Sequence, residues 1–109
     1  MDMDKEYAKL NDSSHTFVIA EAGSNWKCGS YEEDLERAKE LIKIASISGA
    51  DAIKFQTYKP ETTYVQDAGT STYLSQYGIK ENINEIFKNL SMPQKMIPEL
   101  SKYCKLQNI

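Results

Sequence analysis

Cysteine and histidine are scarce in this sequence. Its 109 residues include two cysteines, Cys28 and Cys104, and a single histidine, His15. Two isolated thiols and one imidazole make neither a zinc-binding pattern nor a disulfide framework. The sequence also lacks an apolar run of membrane-spanning length, and its N-terminus lacks the hydrophobic region of a signal peptide. We therefore expect a cytoplasmic protein that does not enter a membrane.

A strong excess of charge of one sign is absent as well. The formal net charge is -3, and the basic residues form no stripe along the sequence, which argues against nucleic acid as a partner. Apolar residues make up 40% of the chain and charged residues 27%, as is typical of a soluble globular protein rather than a disordered one. The length suits one small domain with a modest core.

The central part of the sequence predicts a βαβ unit. A short apolar run over residues 17–23 is typical of a buried strand, and a second strand is predicted over residues 52–57. Between them, Ser30 and Glu33 form a capping-box pattern at the start of a helix, and Gly49 is suited to end it. One face of this helix is apolar: Leu35, Ala38, Leu41, Ile42 and Ala45. Parallel strands joined in this way end at the same edge of the sheet.

Polar side chains occur at that edge. Glu21 closes the first strand, and Lys54 and Gln56 share one face of the second strand, where a buried parallel strand normally carries aliphatic residues. A buried lysine is costly unless it is paired or binds an anion. A site is therefore one interpretation of this edge. The other is an edge strand with a solvated face, with Glu21 reaching solvent at the rim.

Two connections border the predicted edge. Residues 24–29 form the loop after the first strand and contain Asn25 and Trp26. Trp26 either covers the mouth of the site or packs locally, and we expect local packing. The long connection from Tyr58 to Ile79 contains four tyrosines. It suits an active-site cover better than a linker, although a surface excursion pinned by its tyrosines is the alternative.

The remaining segments predict an irregular polar start and two further helices. Residues 1–16 are a polar N-terminal extension. A helix is expected over residues 80–90, and Ser91 and Gln94 form a second capping-box pattern, with Pro98 bending the next helix or delaying its start. The predicted buried residues of that helix are Met96, Ile97, Leu100, Tyr103 and Cys104.

Two motifs carry a family resemblance. Ile19–Asn25 (IAEAGSN) and Gly49–Thr57 (GADAIKFQT), in this order and joined by the predicted helix, resemble the N-terminal part of N-acetylneuraminate (sialic acid) synthases and of relatives that make legionaminic and similar nonulosonic acids. The resemblance implies an α/β fold, the N-terminal portion of a (β/α)8 TIM barrel. It also implies a chain truncated after about two βα units, with residues 17–109 forming a partial barrel domain. A complete barrel typically needs about 250 residues.

The resemblance also implies a reaction, the condensation of phosphoenolpyruvate with the aldehyde of an N-acetylated sugar such as N-acetylmannosamine. By position, Lys54 matches a lysine that binds phosphoenolpyruvate, Gln56 an acceptor contact, and Glu21 a candidate acid or base. Asn25 and Thr57 are expected to be further substrate contacts.

The family resemblance further implies a divalent metal, Mn²⁺ or Mg²⁺, with its ligands outside this chain, and a homodimer at full length. The 109-residue chain alone is expected to be inactive. Many family members carry a histidine where this chain has Trp26. Two alternatives remain open: a barrel lyase in which Lys54 forms a Schiff base, and a noncatalytic α/β binding module.

Overall fold

The computed structural model describes residues 3–57 and 83–109. The chain divides into two compact units, Met1–Phe55 with Gln94–Ile109, and Gln56–Pro93. Within the described ranges, none of the helices combines the length and the apolar character that crossing a membrane requires. The predicted cover between Tyr58 and Ile79 lies outside the described residues. The elements follow in the order α1 (Met3–Asn11), β1 (Ile19–Gly23), α2 (Tyr31–Ile47), β2 (Ala52–Phe55), α3 (Ile83–Leu90) and α4 (Met96–Leu106).

Strands β1 and β2 form a parallel pair, as predicted. Ile19 is opposite Ala52 and Glu21 is opposite Lys54, and the register shifts between Glu21 and Gly23. The α/β class and the βαβ order are thereby confirmed. A two-stranded sheet is consistent with part of a barrel, and the barrel itself stays a prediction.

Helix α2 begins and ends where its caps predict. The Ser30 hydroxyl accepts from the Glu33 N–H at 3.2 Å, and the Glu33 carboxylate accepts from the Ser30 N–H at 3.2 Å. Gly49 follows the helix with φ +89°, the left-handed conformation that glycine adopts without a Cβ penalty. Of the predicted apolar face, Ala38, Ile42 and Ala45 are buried, and Leu35 and Leu41 are half-buried.

The predicted start of the last helix is wrong. Helix α4 begins at Met96, and Lys95 precedes it without a side-chain cap, so Ser91 does not serve as its N-cap. Pro98 explains the difference, because a proline deeper in a helix removes a hydrogen bond and clashes with the preceding turn. With the start at Met96, Pro98 lies in the first turn, where no N–H bond is lost. The expected delay of the helix is confirmed.

Helix α4 packs against α2 through part of its predicted stripe. Met96 and Leu100 are buried and Tyr103 and Cys104 are half-buried, whereas Ile97 is 41% exposed and does not belong to the stripe. The Ser46 hydroxyl on α2 donates to the carbonyl of Gln107, just beyond the end of α4. Ile109 is buried after a turn at residues 107–108, so the C-terminal residues contribute to the same core.

The N-terminal segment is more ordered than expected. Residues Met3–Asn11 form helix α1 instead of an irregular extension. His15, the single histidine of the sequence, places Nε2 at 2.9 Å from Oδ2 of Asp51. The same Asp51 oxygen accepts from the N–H of Val18 at 2.8 Å, and the other oxygen lies 3.5 Å from Nζ of Lys9. Asp51 therefore connects the N-terminal segment to the amino ends of both strands.

Candidate functional site

Glu21 and Lys54 form an ion pair near the carboxyl ends of the two strands. They are opposite each other in the strand register, and Nζ of Lys54 is 3.0 Å from Oε2 of Glu21. The other oxygen, Oε1 of Glu21, accepts from the N–H of Gly23 at 2.9 Å. The predicted convergence of these two side chains is confirmed. The carboxylate is held at both oxygens and presents a fixed negative charge beside the ammonium.

The ion pair reaches solvent. The side chains of Glu21 and Lys54 are 52% and 62% exposed, so the solvated face that the sequence left as an alternative is what the described residues present. An exposed pair contributes only about 0–1 kcal/mol to stability. The fold therefore depends little on it. Both groups remain accessible to a ligand: the ammonium can bind a phosphate or a carboxylate, and the carboxylate can exchange a proton.

The other predicted contacts follow Glu21 or Lys54 within a few positions in the sequence. Asn25 is exposed in the loop after β1, and its N–H donates to the carbonyl of Ala22 at 3.0 Å. Gln56 and Thr57 are exposed and follow β2 directly, but the strand ends at Phe55, two residues before the predicted end. They belong to the second compact unit. The structure thus brings together Glu21 and Lys54, and it places Gln56 and Thr57 by chain connection alone.

Sequence reasoning missed the role of Asp34. Its only signal in the sequence is an acidic residue in the first turn of a helix, which the helix dipole already favours. In the structure Asp34 is 3% exposed. Its Oδ1 accepts from the N–H groups of Cys28 and Gly29 at 2.7 and 2.9 Å, and its Oδ2 accepts from Nζ of Lys27 at 2.9 Å. Burial opposes ionisation, but these donors hold the pKa of Asp34 below its ordinary value.

Trp26 is buried, as the prediction of local packing requires. It is 1% exposed and is among the largest fully buried side chains. Its indole Nε1 has no hydrogen-bond partner among the described residues. The loop after β1 is consequently anchored both by an inserted ring and by Asp34.

Metal ligands are not assembled in the described part of the chain. Residues 3–57 and 83–109 contain no cluster of three or more histidine, cysteine, aspartate or glutamate side chains that could hold an ion. Glu21 is engaged by Lys54, and His15 by Asp51. Cys28 and Cys104 are both free thiols, and burial raises the pKa of the Cys104 thiol.

Sequence comparison then assigns the family. The profile of the NeuB family matches residues 41–109, which run from within α2 through Lys54 to Ile109. The chain belongs to the NeuB family. The matched region contains the second strand and its lysine. Glu21 lies before the matched region, in a part of the chain that is covered by alignments with individual relatives.

The chain is similar to named synthases. It is 54% identical over 55 residues to the N,N'-diacetyllegionaminic acid synthase of Legionella pneumophila, covering 50% of this chain and 14% of that protein. The enzyme of the same name from Campylobacter jejuni is 36% identical over 95 residues, 86% of this chain and 27% of that protein. Human N-acetylneuraminate-9-phosphate synthase is 30% identical over 89 residues, 82% of this chain and 23% of that protein.

These findings confirm the resemblance to the sialic acid synthase family. They also show that the chain spans between 14% and 27% of the length of these three relatives. The relatives are enzymes of sialic and other nonulosonic acid synthesis by their names, so the chain belongs with a family of biosynthetic enzymes.

Proposed function

We propose that this chain forms part of an enzyme that condenses phosphoenolpyruvate with the aldehyde of an N-acetylated sugar. The product would be a nonulosonic acid of the sialic type, made in carbohydrate biosynthesis. Membership of the NeuB family supports this proposal. The single structural observation that carries it is the exposed Lys54–Glu21 pair, 3.0 Å apart near the carboxyl ends of parallel strands, where α/β folds place their chemistry.

Lys54 is proposed to bind phosphoenolpyruvate. Its side chain is 62% exposed and its ammonium pairs with a carboxylate, so an incoming phosphate or carboxylate can accept from its remaining N–H donors. An exposed lysine already near a carboxylate loses little hydration when it changes partners. Anion binding at this position therefore requires no rearrangement of β2.

Glu21 is proposed to transfer a proton near the reacting carbons. Its Oε1 is oriented by the N–H of Gly23, which leaves Oε2 directed at Lys54. A carboxylate that is oriented in this way and open to solvent can act as a general acid or base on a substrate that comes within hydrogen-bond reach of it. Gln56, Asn25 and Thr57 are proposed to contact the substrates through their neutral polar groups.

A divalent metal, Mn²⁺ or Mg²⁺, is proposed as the cofactor of the whole enzyme, with its ligands outside this chain. The described residues of this chain do not fit the metal, because they supply no ligand set. The roles of Glu21 and Lys54 stand without it. A homodimer is proposed for the whole protein on the strength of the family resemblance, and its cytoplasmic location stays a prediction.

The Schiff-base alternative is disfavoured by the surroundings of Lys54. Amine nucleophiles are activated by desolvation or by a neighbouring cation. Lys54 is exposed, and its neighbour is a carboxylate. Borohydride reduction in the presence of pyruvate should give no adduct on Lys54, and a covalent adduct there would favour the lyase.

The proposed function is tested by titrating the 109-residue chain with phosphoenolpyruvate and monitoring the backbone amide signals by two-dimensional NMR. We expect shifts centred on residues 21–25 and 52–55, lost in Lys54→Met and kept in Lys43→Met. Lys43 is a matched control because it is an exposed lysine on α2. Shifts that persist in Lys54→Met would overturn the assignment.

A further inference from the structure

The end of the β1–α2 loop that leads into α2 is held by a buried carboxylate. Asp34 collects three donors from three consecutive residues: the ammonium of Lys27 and the N–H groups of Cys28 and Gly29, at 2.7–2.9 Å. Two of the donors are backbone groups, so the bonds fix the path of the chain itself. A carboxylate that accepts several bonds is well suited to organise a loop, because charged acceptors make the stronger hydrogen bonds.

The first residues of the loop, directly after β1, are held by two backbone turns. The N–H of Asn25 donates to the carbonyl of Ala22 at 3.0 Å, and the N–H of Lys27 donates to the carbonyl of Ser24 at 3.2 Å. Within the second turn, Trp26 is inserted into the interior with 1% exposure. Asn25 is therefore flanked by fixed points on both sides, while the residue itself stays exposed.

We propose that Asp34 is a positioning residue that holds Asn25 next to the Glu21–Lys54 pair, where the Asn25 amide contacts the uncharged acceptor sugar. This inference rests on the proposed function, since it takes Asn25 as a substrate contact. Asp34 itself does not touch the substrate. It lies four residues after Ser30, the N-cap of α2, and acts through its hydrogen bonds to the loop.

The charge balance of the loop favours the sugar over the anion. Lys27 is the one cation among residues 24–30, and its Nζ is bound by Asp34 and by the carbonyl of Gly29, at 2.9 Å each. The loop thus exposes at Asn25 a neutral amide with one acceptor oxygen and two donors, and its positive charge is compensated. Such a group suits hydroxyls and an acetamido group, whereas the phosphate and carboxylate of phosphoenolpyruvate suit Lys54.

The test compares four variants of the 109-residue chain: Asp34→Ala, Asp34→Asn, Asn25→Ala and the double variant Asn25→Ala/Asp34→Ala. Glu32→Gln is the matched control, because Glu32 is an exposed acid in the same first turn of α2. Affinities for N-acetylmannosamine and for phosphoenolpyruvate are measured separately by NMR titration. Amide hydrogen exchange at Cys28 and Gly29 and acrylamide quenching of the single tryptophan, Trp26, report on the loop.

We expect Asp34→Ala to weaken N-acetylmannosamine binding about tenfold, the equivalent of one lost hydrogen bond to a neutral ligand, with phosphoenolpyruvate binding changed less than about twofold. Exchange at Cys28 and Gly29 should accelerate and Trp26 should become more accessible to acrylamide. Asp34→Asn should lie between wild type and Asp34→Ala, since an amide oxygen can still accept from the two N–H groups. The double variant should be no weaker than Asn25→Ala, because the two residues act through one contact.

The two proposals fail in different ways. Absence of phosphoenolpyruvate binding by the wild-type chain overturns the assignment of Lys54 in the proposed function. Phosphoenolpyruvate binding without detectable N-acetylmannosamine binding overturns the assignment of Asn25 and leaves Lys54 in place. Equal loss of both ligands in Asp34→Ala, or additive effects in the double variant, shows that Asp34 serves only stability and overturns its positioning role.

Discussion

Replacing Glu21 with glutamine should strengthen phosphoenolpyruvate binding, even though Glu21 is proposed as the proton-transfer group. In the unliganded chain the Glu21 carboxylate is the partner of Lys54, at 3.0 Å, and an incoming anion must compete with it. The substitution keeps the size of the side chain and an oxygen that can accept from Gly23. It removes the negative charge that opposes the anion.

The size of the effect follows from the exposure of the pair. Two unit charges about 4 Å apart interact by about 1 kcal/mol in water, and exposed pairs measure about 0–1 kcal/mol. With side chains 52% and 62% exposed, Glu21 and Lys54 belong in this range. Phosphoenolpyruvate should therefore bind up to about fivefold more tightly to Glu21→Gln, and stability should change by less than about 1 kcal/mol.

The assay is isothermal titration of phosphoenolpyruvate at low and at high salt, with Glu36→Gln as the control. Glu36 is an exposed glutamate that pairs with Lys39 at 3.7 Å on α2, away from the strand ends, so it matches the charge change. The gain in Glu21→Gln should shrink as salt screens the pair. Weaker binding in Glu21→Gln than in Glu36→Gln would refute the reasoning, because it would mean that Glu21 contacts the ligand favourably.

Three further predictions concern the scaffold of the site. The hydrogen bond from the Val18 N–H, opposed by burial, is the main cause that holds the pKa of Asp51 below its ordinary value. The ionised Asp51 therefore stabilises the fold above about pH 4, and this stabilisation is lost as the pH falls through the folded pKa. The urea midpoint of Asp51→Asn should consequently fall less in acid than that of the wild type. Ile42→Ala should cost about 2–5 kcal/mol, against less than about 0.5 for Ile44→Ala, because Ile42 is 0% and Ile44 56% exposed. Gly49→Ala should lower the free energy of unfolding by about 1–2 kcal/mol in denaturant melts, because the φ of +89° disfavours a residue with a Cβ. A steric clash does not contribute, since a Cβ at this position meets nothing within 4 Å.

Features governed by local rules were predicted well. The capping box of α2 requires only Ser30 and Glu33 at the right spacing, and Gly49 marks the helix end by its own conformational freedom. The convergence of Glu21 and Lys54 needed one further rule, that parallel strands joined by a helix end at the same edge. These steps involve neighbours in sequence or a single crossover, so little was left to tertiary packing.

Long-range partners were not predictable in this way. Asp51 pairs with His15, which lies 36 residues earlier in the chain, and no sequence periodicity predicts such a contact. The burial of Asp34 was hidden for a different reason: an acidic residue in the first helical turn already has an explanation in the helix dipole, so nothing in the pattern called for another. At α4, two local signals disagreed. The capping pattern at Ser91 lost to Pro98, because a missing cap costs about 1 kcal/mol and a proline inside a helix about 3.

The two ends of the β1–β2 pair use similar groups for different purposes, and burial separates them. At the amino end, Asp51 is 7% exposed and accepts from a backbone N–H, so its charge holds β1 and β2 to the N-terminal segment. Near the carboxyl end, the side chains of Glu21 and Lys54 are more than half exposed; Oε2 of Glu21 pairs with Lys54, and Oε1 accepts from the N–H of Gly23. A buried carboxylate cannot change partners without leaving its donors unpaired away from water, whereas the exposed Oε2 of Glu21 and Nζ of Lys54 can exchange each other for water or a ligand. The carboxyl end is therefore where a ligand can exchange with a protein group at little cost, and the proposed chemistry is assigned to Glu21 and Lys54 for that reason.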